Sequence, residues 1–360
     1  MEIDIRSAKS VRLLGRFDKA QDGFPMMWSG ACAEMSVKAP CLEVEIECDY
    51  SSLRPYISFT VDGLRAQTFS PLKGKHWYPV YWMLDGQKAH DIRITLETQA
   101  FSADPASRAI LCRLRFDGEL LPLEERKMRL EFIGDSITSA EGCRGPQDFM
   151  EWVPMMFSAS DSYPRYTADL LNADYQIVSQ SGWGVMSSWD NVPEFNLPSV
   201  YDYICRPVAM NGEPNLGGEK EYDFAFSPDA VIINLGTNDA NAIVQPPYTD
   251  SKTGKSYKRT AEPEALLEWE NAAYAFIKHI AEKNPNARII WAYGVCEDNM
   301  KSAVSSAVKR AQQDGVRASY IPLPQMGTIE NGTGSRMHPG EGAHRVMAKM
   351  IAEELGKTAR

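Results

Sequence analysis

The chain has 360 residues, of which 44% are hydrophobic and 24% charged, and its formal net charge at pH 7 is -10. This length predicts two domains, and the composition is that of a soluble globular protein with a sizeable core. The negative charge argues against nucleic acid or an anionic membrane as a partner, and no stretch approaches the roughly 20 apolar residues of a membrane span.

The amino terminus and the cysteines bear on location and on metal binding. The first ten residues, MEIDIRSAKS, include acids where a signal peptide would have a basic segment and an apolar run. The seven cysteines are irregularly spaced and form no CxxC pair of the kind that indicates a metal or redox site. We therefore expect a cytoplasmic protein with mostly reduced thiols and no metal centre.

Short alternating patterns fill the region from about Val11 to Phe116. Apolar residues at every second position predict half-buried strands at Leu42–Tyr50, Tyr56–Gly63 and His90–Gln99. Several short strands without a useful helical stretch predict an all-β antiparallel sandwich or jelly roll over residues 1–122. Proline and charged residues in Leu120–Lys127 are typical of a linker.

This predicted sandwich could also be a carbohydrate-binding module. Five aromatic side chains are candidates for stacking on sugars: Trp28, Trp77, Tyr78, Tyr81 and Trp82. Aromatic residues in β-domains more often belong to the core, and we favour that interpretation.

The stretch Arg129–Glu141, RLEFIGDSITSAE, predicts a strand, a tight turn and the start of a helix. Ser136 in that turn would lie beyond the carboxyl end of a sheet strand, where α/β folds build their sites. Its own backbone N–H would be free to donate to an oxyanion, because the first N–H groups of a helix lack partners within the helix. The alternative is an Asp/Ser N-cap on an ordinary turn.

Helices and strands alternate after this turn, which predicts a doubly wound parallel sheet over residues 128–360. The predicted elements are a helix at Pro164–Asn172 with Ser162 as N-cap, a strand at Asp174–Ser179, a strand from Val231, a helix at Glu264–Glu282, a strand at Arg288–Gly294, a helix at Asn299–Asp314 and a strand at Ala318–Leu323. Two polar insertions, Asn196–Tyr222 and Gln245–Arg259, show no periodicity and are expected to lie over the site.

Three further residues have the chemistry to assist a nucleophilic serine. Gly182 follows a predicted strand, and it is either an ordinary turn glycine or a position where the lack of a side chain lets a reacting carbonyl approach the backbone N–H. Asn238 also ends a strand, and its amide can donate to an oxyanion without adding charge. His338 precedes Pro339, which favours an extended backbone and a loop at the cleft, whereas His344 lies inside the following helix and is expected to pack or cap.

Ser136, Gly182, Asn238 and His338 follow the block order of the SGNH (GDSL-type) hydrolases, which this sequence resembles. The resemblance implies a flavodoxin-like, three-layer α/β/α domain in which Ser136 is the nucleophile and His338 the base. It also implies an oxyanion hole made by the N–H groups of Ser136 and Gly182 and by the amide of Asn238. No metal or organic cofactor is required by such a mechanism.

Local features near the amino terminus resemble carbohydrate esterase family 2, in which a small jelly roll precedes the SGNH domain. These features are LLGRFD, MWSGAC, the TVDG strand end and the strand at His90. The resemblance implies removal of acetyl groups from plant poly- or oligosaccharides such as xylan and mannan, with Trp183 as a candidate substrate-binding residue. Two alternatives stay open, a general short-chain esterase or thioesterase and a carbohydrate-binding protein with a lost hydrolase site. The sequence leaves the oligomeric state undetermined.

One position departs from the SGNH pattern Asp-x-x-His-Pro, because Ser335 stands three residues before His338. A serine cannot supply the carboxylate that orients the imidazole and stabilises its protonated form. Family 2 esterases include members with a Ser–His dyad whose imidazole is oriented by a backbone carbonyl, and this is the interpretation we favour. The alternatives are an acid from elsewhere, such as Glu297 or Asp298, or an inactive site.

Overall fold

The computed structural model describes residues 1–210 and 216–357 and divides into two compact units. The first unit contains Met1–Arg126 together with two later segments, Val153–Ser160 and Tyr203–Tyr222. The second contains Lys127–Trp152, Asp161–Asp202 and Asp223–Arg360. The first division falls inside the predicted linker. Residues 211–215 of the predicted insertion Asn196–Tyr222 lie outside the described residues.

The first unit is an antiparallel β-sandwich, as predicted. Its strands are β1 (Glu2–Asp4), β2 (Arg12–Leu14), β3 (Phe24–Pro25), β4 (Cys32–Lys38), β5 (Cys41–Asp49), β6 (Ile57–Val61), β7 (Leu64–Phe69), β8 (Gly74–Trp82), β9 (His90–Leu96), β10 (Arg108–Phe116) and β11 (Glu119–Leu121). One sheet has the order β1-β10-β5-β8, with β3 also on β10, and the other has the order β11-β4-β9-β6-β7, with β2 on β4.

The core of the sandwich follows from strict alternation along its strands. On β5, Leu42, Val44 and Ile46 are fully buried, and they join one apolar cluster with residues of the other sheet such as Phe59 and Ile94. The intervening glutamates point away from this cluster and pair with arginines of β10. Burial of one face of each sheet therefore fixes the register of both sheets.

The aromatic residues considered for sugar stacking have different environments. Trp28 is fully buried and its indole N–H donates to the carbonyl of Ile204 at 2.6 Å, and Tyr81 is also buried. Trp77 lies beneath two guanidinium groups of β10, whereas Trp82 is 61% exposed. Trp28 and Tyr81 are thus core residues.

The second unit is built on a parallel sheet with the order β13-β12-β14-β17-β18. Its elements are β12 (Met128–Gly134), α1 (Tyr163–Leu171), β13 (Ala173–Ser179), β14 (Ala230–Asn234), α2 (Thr237–Val244), the hairpin β15 (Tyr248–Thr249) and β16 (Ser256–Tyr257), α3 (Pro263–Lys283), β17 (Arg288–Tyr293), α4 (Lys301–Gln313), β18 (Ala318–Pro322) and α5 (Glu341–Gly356). Helix α1 packs against α5, and α3 packs against α4. This is the predicted flavodoxin-like strand order, and its crossover point lies between β12 and β14.

The helix expected to begin after Ser136 does not form. The chain makes a single turn, in which Ser139 N donates to Asp135 O at 3.0 Å, and it remains irregular until α1. Left-handed φ angles at Ala140 (57°) and Gly142 (70°) end the turn. The other predicted helices and strands of this unit form with ends that differ by one or two residues, with one exception. The strand from Val231 was expected to end at Asn238, but β14 ends at Asn234, and Asn238 lies in α2, a helix that was not predicted. Ser162 caps α1 by accepting from Arg165 N.

Two features of the described residues bear on the general class of the protein. None of their helices combines the length and the apolar character needed to cross a membrane. All seven cysteines carry free thiols.

Candidate active site

Ser136 lies just beyond the carboxyl end of β12, and its hydroxyl faces His338. The Oγ atom is 2.8 Å from Nε2 of the imidazole, although 202 residues separate the two positions. A side chain at Gly134 would collide with Thr138 and with the carbonyl of Asn234, so the tight turn that exposes Ser136 requires glycine there. The structure thus brings together the predicted nucleophile and the predicted base.

The imidazole of His338 is oriented by a backbone carbonyl. Its Nδ1 is 2.8 Å from the carbonyl oxygen of Arg336, which can only accept a hydrogen bond. The proton therefore resides on Nδ1, and Nε2 is free to accept the proton of Ser136. Ser335 is fully buried beside the carbonyl of Gly142, and Glu297 is engaged by the hydroxyl of Tyr293. This geometry supports a dyad.

Gly182 lies on the loop after β13 with a φ of 81°, in the left-handed region that favours glycine. Trp189 packs against its α-carbon, and a Cβ at this position would lie 3.0 Å from the indole ring. Within the described part of the chain, no residue accepts a hydrogen bond from the backbone N–H of Ser136 or Gly182. Both N–H groups are thus available to an oxyanion.

Asn238 lies in the first turn of α2, next to the crossover point of the sheet. Its amide nitrogen donates to Oδ2 of Asp135 at 3.1 Å and to the carbonyl oxygen of Trp183 at 3.0 Å. These bonds fix the amide beside the turn that carries Ser136, so the third predicted oxyanion donor also belongs to this cluster. To reach an oxyanion, the amide must share or exchange one of these bonds.

Asp239, the neighbour of Asn238, ties α2 to the loop that carries Gly182. Its carboxylate accepts from the backbone N–H groups of Val185 at 2.9 Å and Met186 at 3.0 Å. A side chain at Gly184 would collide with this carboxylate. These partners lie more than 50 positions away in the sequence, so local patterns do not predict them.

Burial shapes the electrostatics of the two aspartates. It raises the pKa of Asp135 to about 7, and the negative charges of Asp239 and Glu141 add to the effect. Burial also raises the pKa of Asp239, although the two backbone N–H groups that it accepts act in the opposite direction. Both carboxyls are thus held in an environment that disfavours their ionised forms.

Two tryptophans lie close to the oxyanion donors. Trp183, the predicted substrate-binding residue, is only 4% exposed and stacks on Phe195 with ring centroids 5.2 Å apart. Trp189 is 46% exposed, and its backbone N–H donates to the carbonyl of Gly182 at 2.8 Å. Sequence reasoning missed Trp189, because no local pattern distinguishes an exposed tryptophan from a buried one. The role of Trp183 stays a prediction.

The predicted insertions lie in different parts of the molecule. Residues 203–222 of the first insertion belong to the sandwich unit. In the second insertion, Lys258 donates from Nζ to the carbonyl oxygens of Ala242 and Ile243 at the end of α2. That contact stabilises the helix that presents Asn238. Among the described residues, no cluster of three or more His, Cys, Asp or Glu side chains is arranged to hold a metal ion.

Comparison with known proteins identifies the class. Residues 132–346 match the GDSL-like Lipase/Acylhydrolase family, a span that includes Ser136, Gly182, Asn238 and His338. The chain therefore belongs to this family.

The chain is similar to an acetyl xylan esterase (Est2A) from the rumen bacterium Butyrivibrio proteoclasticus, with a TM-score of 0.94, 34% identity, and coverage of 100% of this chain and 98% of that one. It shares its fold with a family two carbohydrate esterase from Clostridium thermocellum in complex with cellohexaose, with a TM-score of 0.80, 23% identity, and coverage of 97% and 99%. These likenesses confirm the predicted resemblance to carbohydrate esterase family 2 and the predicted two-part fold.

A curated relative from Cellvibrio japonicus, named acetylxylan esterase / glucomannan deacetylase, is 26% identical over 275 residues, which are 73% of this chain. The chain spans between 38% and 66% of the length of the curated relatives that it matches.

Proposed function

We propose that this chain is a carbohydrate O-acetyl esterase that removes acetyl groups from plant-derived oligo- or polysaccharides such as xylan and mannan. The observation that carries the proposal is the 2.8 Å contact between Ser136 Oγ and His338 Nε2, with Nδ1 bound to the Arg336 carbonyl. The substrate class is supported by the relatives, which are named acetyl xylan esterase and acetylxylan esterase / glucomannan deacetylase.

The proposed reaction begins with attack of Ser136 Oγ on the acetyl carbonyl carbon, while His338 Nε2 takes the hydroxyl proton. The carbonyl oxygen becomes an oxyanion that accepts from the N–H groups of Ser136 and Gly182 and from the amide of Asn238. Collapse breaks the bond to the sugar oxygen, and that oxygen receives the proton from Nε2. The products of this half-reaction are the free sugar hydroxyl and an acetyl ester on Ser136.

The second half-reaction reverses the proton path. Water attacks the acetyl carbon and gives one proton to His338 Nε2, and the same donors hold the second oxyanion. When the bond to Ser136 Oγ breaks, the serine regains its proton from His338, and the product leaves as acetic acid, which loses the second proton of the water to solvent and becomes acetate. One base, His338, and one set of oxyanion donors therefore serve both steps.

The test is acetate release from acetylated xylan and acetylated mannan by the wild type and by Ser136→Ala. Release that is abolished in the variant would support a serine acetylesterase, and the two polymers would rank the substrates. Comparison of acetyl, butyryl and octanoyl esters separates this function from a general short-chain esterase or thioesterase. Binding to glucan or mannan without any acetate release would overturn the proposal in favour of a carbohydrate-binding protein.

A further inference from the structure

A buried carboxylate lies beside the proton acceptor of the dyad and is not part of the reaction described above. Glu141 follows the turn that carries Ser136, and its side chain is 2% exposed. Its Oε1 is 3.8 Å from Nε2 of His338 and 2.8 Å from Nε of Arg336. Glu141 N also donates to the carbonyl of Ser136 at 3.0 Å, which fixes the glutamate to the nucleophile's turn.

Arg336, the partner of Glu141, supplies the carbonyl that orients the imidazole, and it does so from an unfavourable conformation. Its φ is 54°, in the left-handed region that non-glycine residues avoid, and the next residue has a φ of 57°. Three contacts hold it there. Its backbone N–H donates to Phe149 O at 2.9 Å, its Nη1 to Met150 O at 3.0 Å, and its Nε to Glu141.

We propose that Glu141 is the positioning residue of this dyad and performs from the Nε2 side what the missing aspartate would perform from the Nδ1 side. Its contact with Arg336 holds the carbonyl that orients the imidazole. Its negative charge stabilises the positive charge that His338 gains when it takes the proton of Ser136. The inference rests on the proposed function, because it concerns the same dyad. No carboxylate is then needed at position 335, because Glu141 and the Arg336 carbonyl together perform both tasks of the triad acid. These tasks are to orient the imidazole and to stabilise its protonated form.

The sign of the electrostatic effect depends on every charged or titratable group that faces His338. Glu141 is negative and lies 3.8 Å from Nε2, and the positive charge of its partner Arg336 offsets part of its effect on His338. Asp135, on the Ser136 turn, interacts electrostatically with Glu141. His344 on α5 also interacts with His338, but burial lowers the pKa of His344 to about 4, so it is neutral at working pH. Removal of one member of the Glu141–Arg336 pair therefore leaves His338 next to the uncompensated charge of the other member.

The two members of the pair predict opposite shifts. In Glu141→Gln the guanidinium is left without its counter-charge, protonation of His338 becomes harder, and the acid limb of the kcat/KM profile moves to lower pH. In Arg336→Met the carboxylate is left unpaired, protonation becomes easier, and the limb moves to higher pH. Each shift should be about one pH unit, as expected for a single charge at this distance. Loss of packing alone would not move the limb in opposite directions.

The experiment measures kcat and KM for hydrolysis of 4-nitrophenyl acetate from pH 5 to 9 for the wild type and the variants Glu141→Gln, Arg336→Met and Arg336→Lys. We expect kcat to fall at least roughly tenfold in the first two variants, with KM little changed, because the interaction strengthens in the transition state. Arg336→Lys keeps the positive charge, so the acid limb of its kcat/KM profile should lie at the same pH as that of the wild type. Glu297→Gln is the matched control, since Glu297 is half-buried but bound to Tyr293, and its limb should not move.

An unmoved limb in both Glu141→Gln and Arg336→Met, or shifts of the same sign, would overturn the inference. If Glu141→Gln does not fold, Arg336→Met against Arg336→Lys carries the test by itself. Ser136→Ala separates the two proposals. A wild type without Ser136-dependent hydrolysis contradicts the esterase function, whereas an active, Ser136-dependent wild type with unmoved limbs contradicts only the role of Glu141.

Discussion

The amide nitrogen of Asn238 lies 3.1 Å from the carboxylate of Asp135, so the residue before the nucleophile holds the side chain that is expected to donate to the oxyanion. Both residues are buried, at 7% and 0% exposure. Asp135 thus prevents the amide from turning away when no substrate is bound. The amide is thus held beside the nucleophile before the reaction begins, and it needs only to share or exchange one hydrogen bond to reach the oxyanion.

Replacement of Asn238 by alanine removes one oxyanion donor and should lower turnover by roughly 10²–10³-fold, with a much smaller effect on KM. Steady-state kinetics on an acetyl ester measure this. Replacement of the half-exposed His279 by glutamine, on α3, provides a control in the same unit that should keep wild-type turnover. Unchanged turnover in Asn238→Ala would remove that residue from the mechanism.

Asp135 should make stability depend on pH. Its pKa is about 7 in the folded protein and about 4 when unfolded, so between these values the folded state holds one more proton. The free energy of unfolding therefore falls as pH rises through this window. Asp135→Asn lacks this titration. Urea unfolding at pH 4.5 and pH 8 should therefore show that the free energy of unfolding of the variant, relative to that of the wild type, is higher at pH 8 than at pH 4.5. Parallel pH dependence in both proteins would contradict the raised pKa.

Loss of the Asp239 carboxylate should misplace the loop that carries Gly182. Asp239→Asn keeps the shape, but its amide group faces one of the two backbone N–H groups that the carboxylate accepts, at Val185 and Met186. An unsatisfied buried N–H costs about 1–3 kcal/mol, and a misplaced donor lowers kcat by between roughly tenfold and 10²-fold. Thermal unfolding and kinetics on the same preparation test both effects, and a stable variant with full kcat would refute this role.

Trp189 should contribute to sugar binding but not to the acetyl chemistry. Its indole is 46% exposed beside Gly182, where a sugar ring attached to the acetyl group could cover it. Trp189→Ala should raise KM for acetylated oligosaccharides roughly fivefold, the equivalent of about 1 kcal/mol of lost apolar contact. KM for 4-nitrophenyl acetate serves as the control and should change little. An equal rise for both substrates would point to a general distortion of the site.

An aspartate in place of Ser335 should not rebuild a triad. Ser335 is fully buried with its hydroxyl 3.5 Å from the carbonyl oxygen of Gly142, so a carboxylate there would face another acceptor. Nδ1 of His338 is already bound to the Arg336 carbonyl. We expect Ser335→Asp to lower the melting temperature and to leave kcat no higher than in the wild type. A gain in kcat would mean that the carboxylate displaces this carbonyl.

The sequence predicted the parts of the site that depend on local signals. Ser136 and Asn238 each follow a buried strand, and parallel strands end at one edge of the sheet, so their approach could be predicted from strand and helix alternation alone. The family resemblance predicted a backbone carbonyl as the partner of His338, but it did not predict which carbonyl, because its position depends on the φ angle of Arg336. The same holds for Glu141, whose side-chain contacts with Arg336 and His338 join positions that are at least 195 apart.

The expected helix after Ser136 shows why local propensity is insufficient. The sequence ITSAEG permits a helix, but the left-handed residues Ala140 and Gly142 redirect the chain so that Gly142 accepts from Ser335 N at 2.9 Å. A contact between positions 193 apart has therefore overridden a local preference. The predicted helix was wrong because the contact between Gly142 and Ser335, which replaces it, also joins the Ser136 turn to the segment that carries His338.

Two later segments of the chain, Val153–Ser160 and Tyr203–Tyr222, belong to the sandwich unit. This has a consequence for the order in which the unit can fold during synthesis. Trp28 finds its hydrogen-bond partner at Ile204, and the buried Glu97 accepts from the backbone and hydroxyl of Ser160, both supplied by the later segments. The amino-terminal strands leave the ribosome first, yet they cannot complete these contacts until Ile204 has been synthesised. A fragment that ends at Arg126 would therefore lack the partners of Trp28 and Glu97 that the later segments supply.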